Sequence, residues 1–288
     1  MAQSTSRKRC YDAENGAMLF ARLAPKRIID LSNHRIINDS MQPGSILEID
    51  GPIESGKTSL LIDIAAYCIL PKSSGGLETN VALIDCDRQF HINRLVAILE
   101  RVFGGQTTAA CSFTGATEEK ITKTLARFHY VACDDSEELL ESFNPLDDAI
   151  GSAVMTDHSG GWLLLIDTIN AFYWLDRNSR SRNSVNQMHQ TYSQRVGRFL
   201  NEHNMAAIVT KLVIETSNDG WQAGGGRTSD SSSPNVAVSC IMDTSWRKLV
   251  TRSIQLSVSE IDGQKVHTAV ENARSVRFKV SIDGISYI

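Results

Sequence analysis

Apolar residues in this chain fall into two alternating patterns. Short continuous runs read as buried parallel strands, and longer stretches with 3.6-residue spacing read as helices packed on them. Ile46, Leu47 and Ile49 form the first run, and Leu60, Leu61, Ile64, Ala65 and Cys68 mark a helix from Thr58 to Leu70, stopped by Pro71. A Gly/Ser loop from Lys72 to Asn80 leads to a strand, Val81 to Asp85. Ile92, Leu95, Val96, Leu99, Val102 and Phe103 then recur at helical spacing. The pattern continues with a helix Thr117 to Arg127, a strand His129 to Cys133, helices Glu137 to Phe143 and Leu146 to Val154, and a strand Trp162 to Ile166 ending at Asp167. Val185, Met188, Tyr192, Val196 and Phe199 predict a long amphipathic helix, and Met205 to Val209 a further strand. The alternation predicts an α/β fold: a mostly parallel sheet flanked by helices. Residues 1–44, with a helix around Ala17 to Leu23 and turn-rich sequence up to Pro43-Gly44, read as an appendage to a core at 45–288. Arg274 to Ser281 and Ile285 to Ile288 flank Asp283-Gly284 as a C-terminal β-hairpin. No element is assigned between 240 and 273, and no internal repeat is visible.

Composition narrows the class. A net charge of −4 over 288 residues argues against coating by nucleic acid through bulk electrostatics, so any DNA contact must come from local basic patches. The six cysteines include no C-x-x-C pair and no histidine at zinc spacing, which points to buried free thiols in a reducing compartment. No apolar run approaches the ~18 residues of a membrane helix. The polar, basic start, with Arg7-Lys8-Arg9, has no signal-peptide core.

One octapeptide carries the chemistry. Gly51-Pro52-Ile53-Glu54-Ser55-Gly56-Lys57-Thr58 spells G-x-x-x-x-G-K-[ST] between a predicted strand and a predicted helix, the context of a P-loop. Its glycines let successive N–H groups converge on phosphate oxygens, and the helix N-terminus adds partial positive charge. Lys57 supplies a point charge for the β/γ-phosphates of ATP. The Thr58 hydroxyl helps to hold Mg²⁺, and Ser59 completes the nucleotide-binding stretch. Trp162 to Asp167 is a Walker B arrangement whose carboxylate, at the C-terminal end of a buried strand, is a second Mg²⁺ ligand.

Beyond these motifs the chain resembles a family. Leu83-Ile84-Asp85-Cys86-Asp87 resembles the I-D-T-E element of RecA-type recombinases, and Thr168 to Trp174 the segment leading into their first DNA-binding loop. The strings Cys68-Ile69-Leu70-Pro71-Lys72-Ser73, Arg94-Leu95-Val96 and Ala171-Phe172-Tyr173-Trp174 with Asp176-Arg177 resemble the recombinase paralogues, most of all the X-ray-repair cross-complementing kind. The resemblance covers most of residues 14–210. It implies a RecA-like core without the large N-terminal domain of full recombinases. It also implies a nuclear, ATP-binding subunit that joins other paralogues to assist homologous-recombination repair of double-strand breaks.

Two departures bear on turnover. Recombinases place a glutamate where this chain has Asp87, whose carboxylate retreats by ~1.5 Å, making it a weak catalytic base. The resemblance also places Leu212 where recombinases carry a γ-phosphate-sensing glutamine, and leucine cannot hydrogen-bond a phosphate. A register one residue off would give Lys211 that role. The two DNA-loop positions fall on Asp176 to Asn186, with Arg177, Arg180 and Arg182, and on Glu215 to Ser239, with Trp221 and Arg227. Arginine neutralises phosphate and an aromatic stacks on bases. His189, His203 and His267 read as surface residues. The expectation is an ATP-binding paralogue subunit with weak DNA contact. An autonomous DNA-dependent ATPase, a small-molecule kinase and a scaffold with a degenerate nucleotide site are its rivals.

Overall fold

The computed structural model describes residues 27–104, 115–155, 161–216, 237–239, 242 and 244–288. The helix expected at Ala17 to Leu23 therefore lies outside the described residues. Strands β3 (Ile46–Gly51), β4 (Asn80–Asp85), β5 (Phe128–Ala132), β6 (Trp162–Asp167) and β7 (Ala206–Leu212) build the parallel half of one sheet. Strands β10 (Val250–Ile261), β11 (Gln264–Glu271), β12 (Arg274–Ser281) and β13 (Gly284–Tyr287) continue it as an antiparallel meander. The nine-stranded order is β13-β12-β11-β10-β3-β7-β6-β4-β5, and β10 joins the halves by pairing parallel to β3. The expected C-terminal hairpin, β12 with β13, is present as the edge of this larger sheet. Burial alternates in the middle of β10, where Ile254 and Leu256 are buried between exposed neighbours, as a half-buried strand requires.

Helix α1 (Lys57–Ile69) follows β3 and packs on one sheet face with α2 (Ile92–Gly104) and α3 (Gly115–Leu125). Their shared core holds Leu47, Ile49, Leu83, Leu165 and Ile208 from the strands. The other face is covered by α4 (Ser136–Glu141), α5 (Phe143–Met155), α7 (Arg182–Glu202) and α8 (Thr244–Leu249), around Ile84, Ile166, Val209, Phe143, Phe199 and Trp246. Helix α6 (Tyr173–Ser179) lies between β6 and α7. The linker after Pro71 carries a 3-10 turn at Lys72–Ser74. A small sheet of β1 (Ile29–Asp30) and β2 (Ser40–Met41) sends Ile29, Leu31, Ile36, Ile37 and Met41 into the α1-side core. Arg252 ties this segment to the meander by pairing with Asp39 at 3.0 Å and Glu271 at 2.7 Å. Strands β8 (Ile214–Thr216) and β9 (Ala237–Ser239) form a separate pair.

On the α8 side of the sheet, Lys211 and Glu48 form a largely buried charged pair. Lys211 donates to Glu48, and the other oxygen of Glu48 accepts from Trp246 Nε1 at 2.7 Å. Both side chains are largely buried, so removing one partner strands the other charge. Glu48→Ala should cost about 3–5 kcal/mol in urea unfolding. Glu48→Gln should cost less, because its amide oxygen still accepts from Trp246. A midpoint unchanged in Glu48→Ala would show that the pair is solvated.

Candidate functional site

The P-loop spans the gap between β3 and α1. Gly51 closes β3 at a place where a Cβ would lie 2.7 Å from the Leu256 carbonyl and 2.7 Å from Ser55 Oγ, so no side chain fits. Gly56 caps α1 in the left-handed region, φ 92°, which glycine adopts without strain. Ser55 is buried, whereas Ile53 and Glu54 project to solvent from the loop tip. Glu54 pairs with Lys265 of β11. Lys57 folds back over the loop and donates to the carbonyls of Gly51 at 3.0 Å and Pro52 at 2.7 Å. Burial lowers its pKa, while Asp167, Asp87 and Asp50 pull the other way. Ser59 turns its hydroxyl to Arg94 Nη2, at 2.8 Å, on the α2 side.

Adjacent strands deliver the acids. Asp85 and Asp167 are register partners at the ends of β4 and β6. Asp167 is almost completely buried, and its Oδ1 accepts from Thr210 Oγ1 at 2.5 Å and Thr168 Oγ1 at 3.3 Å. Desolvation raises its pKa, and the hydroxyls of Thr210 and Thr58 hold it back. Its second oxygen, Oδ2, is buried without a hydrogen-bond partner. Such an oxygen is costly unless a cation or proton meets it. The peptide joining Asp167 to Thr168 is cis. Asp87 lies two residues beyond β4, where Thr168 Oγ1 donates to its Oδ2 at 3.4 Å. Burial first, then the charges of Asp167 and Asp85, raise its pKa to about 6.

The donor set fits a magnesium nucleotide: hard oxygens from Thr58 and Asp167, a lysine and a glycine-hinged loop. Sequence reasoning missed Asp85, Thr168 and Thr210 as members of this group. Asp85 Oδ2 accepts from Phe90 N at 3.3 Å and the Tyr130 hydroxyl at 3.1 Å, and its Oδ1 is buried without a partner. The repeated fall of aspartate or threonine at the ends of adjacent parallel strands was the available signal.

At the end of β7, side chains alternate between the two faces. Thr210 faces Asp167, whereas Lys211 points to the opposite face and Glu48, so Lys211 cannot serve as the phosphate sensor. Leu212 is held through its backbone alone: Asn170 Oδ1 accepts from its N–H and Asn170 Nδ2 donates to its carbonyl, each at 2.9 Å.

Of the two loops expected to contact DNA, the first, with Arg177, Arg180 and Arg182, is not an open loop. Arg177 is in the last turn of α6, with its guanidinium 5.5 Å from the Trp174 ring centroid and donating to the Tyr173 hydroxyl at 3.2 Å. Arg180 is engaged by Glu137 at 2.7 Å and Asp176 at 3.4 Å. Arg182 is the first residue of α7. The stretch Asp176 to Asn186 is thus mostly helical, because Ser181 caps α7 by accepting from Ser184 N at 3.4 Å. Trp221 and Arg227 lie outside the described residues. The histidines are not surface residues: His189 and His267 are buried, and His203 bonds Asp147 at 2.6 Å.

Comparison with known proteins agrees with this geometry. The Rad51 family model matches residues 32–234. The chain is 28% identical over 249 residues to DNA repair protein XRCC2 of Mus musculus, covering 85% of this chain and 84% of that protein. It is 28% identical over 282 residues to DNA repair protein XRCC2 homolog of Arabidopsis thaliana, covering 83% and 74%. It is also 28% identical over 180 residues to DNA repair protein RAD51 of Mycosarcoma maydis, covering 62% and 47%. With a matching core, a P-loop and its strand-end aspartates in place, the chain belongs to the Rad51 family.

Proposed function

We propose that this chain is an ATP-binding recombinase-paralogue subunit of homologous-recombination DNA repair, working within a nuclear complex of paralogues on DNA. The observation that carries the reading is the convergence at the P-loop of Lys57, Thr58 and the unpartnered Oδ2 of Asp167. The names of the XRCC2 and RAD51 relatives supply the repair context. In the nucleotide complex, backbone N–H groups of residues 53–58 would face the phosphates, and Lys57 would exchange its carbonyl partners for phosphate oxygens. Thr58 and Asp167 would hold Mg²⁺, whose chemistry is to neutralise phosphate charge.

The same residues favour binding over turnover. Asp87 is one methylene shorter than the expected glutamate, and a misplacement of about 1 Å costs on the order of 10²-fold in rate. Leu212 offers no side-chain hydrogen bond at the sensor position. One observation favours the rival reading of an autonomous DNA-dependent ATPase. The pKa of Asp87, raised to about 6, suits a general base at neutral pH.

One measurement tests nucleotide binding and a second separates the two readings. Lys57→Ala should weaken binding of a fluorescent ATP analogue at least ~10-fold and Lys57→Arg less, since a planar fork fits a point-charge niche poorly. Equal affinity in wild type and Lys57→Ala would end the claim of nucleotide binding. For turnover, phosphate release with and without DNA should rise in Asp87→Glu and stay near wild type in Asp87→Asn. A steep loss in Asp87→Asn would identify a working base and support the autonomous ATPase.

A further inference from the structure

The meander lies directly against the P-loop, and one of its side chains touches the loop backbone with directional chemistry. His267, on β11, is buried and stacks on Phe278 of β12, with ring centroids 5.3 Å apart and planes 21° apart. Its Nδ1 lies 3.0 Å from the Ser55 carbonyl oxygen. A carbonyl only accepts, so Nδ1 carries the hydrogen and donates. The fit is close: a Cβ added to Gly56 would stand 3.2 Å from this nitrogen and 3.5 Å from atoms of Phe278 and Val280. Two residues earlier on β11, Lys265 pairs with Glu54. The Rad51 family match ends at residue 234, so this contact comes from a part of the chain that the match does not reach.

We infer that His267 is a positioning residue of the nucleotide site, whose ring N–H holds the Ser55 carbonyl and so fixes the P-loop turn. A P-loop binds anions because its N–H groups point inward, which requires its carbonyls to point away. Lys57 holds the carbonyls of Gly51 and Pro52, but the same ammonium must leave them to meet a phosphate. Gly51 keeps a second partner, Val213 N at 3.1 Å. The Ser55 carbonyl keeps His267, whose bond does not compete with the nucleotide. His267 thereby preserves the anion-binding conformation when Lys57 moves.

The inference rests on nucleotide binding at the P-loop, and the test separates the two. The full-length chain is titrated with a fluorescent ATP analogue and Mg²⁺, as wild type, Lys57→Ala, His267→Phe, His267→Asn and His267→Gln. His267→Phe keeps the stacking ring but loses the donor, and should weaken binding roughly 3- to 10-fold, the value of one hydrogen bond. His267→Asn, with an amide nitrogen at the Nδ1 position, should restore most of the affinity. His267→Gln carries its nitrogen one bond further and should restore less. Melting temperatures without nucleotide should not follow this ranking. Wild-type affinity in both His267→Phe and His267→Gln would overturn the inference, as would Asn no better than Phe or Gln. Should Phe fail to fold, the Asn and Gln pair decides alone. Binding lost in none of the variants, Lys57→Ala included, would instead sink nucleotide binding at the P-loop, and the role of His267 with it.

Discussion

Gly51 can bear no side chain, and much of the site follows from that. The strand β3 must end where the backbone of Leu256 on β10 and the hydroxyl of Ser55 both press against its last residue. This contact makes the P-loop a shared surface between the parallel half of the sheet and the meander, so it is not a free turn at the edge of a domain. β10 can lie there because it pairs parallel to β3 from Ile46 to Asp50, with a register shift near its start. Close approach at Gly51 and a left-handed φ at Gly56 are separate demands on two glycines. Together they hold the loop's ends while its tip stays exposed.

Around that loop the protein buries charge that water would otherwise stabilise. Asp167 is nearly inaccessible, Asp87 is partly desolvated, and the charge of Asp85 lies beside both, so desolvation first and repulsion second disfavour ionisation of Asp167 and Asp87. Thr168 and Thr210 offset part of this cost by donating to Asp167, and Lys57 supplies a positive charge that acts on Asp167 and Asp87. The hydroxyls satisfy one oxygen of Asp167 and leave the other bare. The site is therefore incomplete as a set of hydrogen bonds, in the manner of sites that store unfavourable electrostatics for a cation.

Much of this was legible in the sequence, for a physical reason in each case. Parallel strands buried on both faces must be continuously apolar, which made β4 and β6 plain, and Asp85 and Asp167 marked where they stop. The P-loop was legible because only glycine meets its backbone demands. Less visible was β10, a strand with polar residues at most positions whose buried side is Ile254 and Leu256. The helix α6 hid in a polar stretch that reads as a loop, and its fold depends on tertiary partners: Asp176 accepts from Ser136 Oγ of α4 at 2.5 Å. His267 reads as an isolated polar residue in a strand, since its partner, a backbone carbonyl some two hundred residues earlier, leaves no mark in composition or periodicity.

The end of β7 shows how one strand can be wired to different neighbours by parity alone. Thr210 turns to the α1 face and bonds the Walker B aspartate. Lys211, one residue on, turns to the other face and bonds Glu48 on the very strand that leads into the P-loop. Leu212 brings no polar atom in its side chain, and its backbone makes the paired bonds to Asn170, just after β6. Asn170 thus ties the segment after β6 to the end of β7 through the backbone of Leu212. A strand end built in this way holds its two neighbours in register.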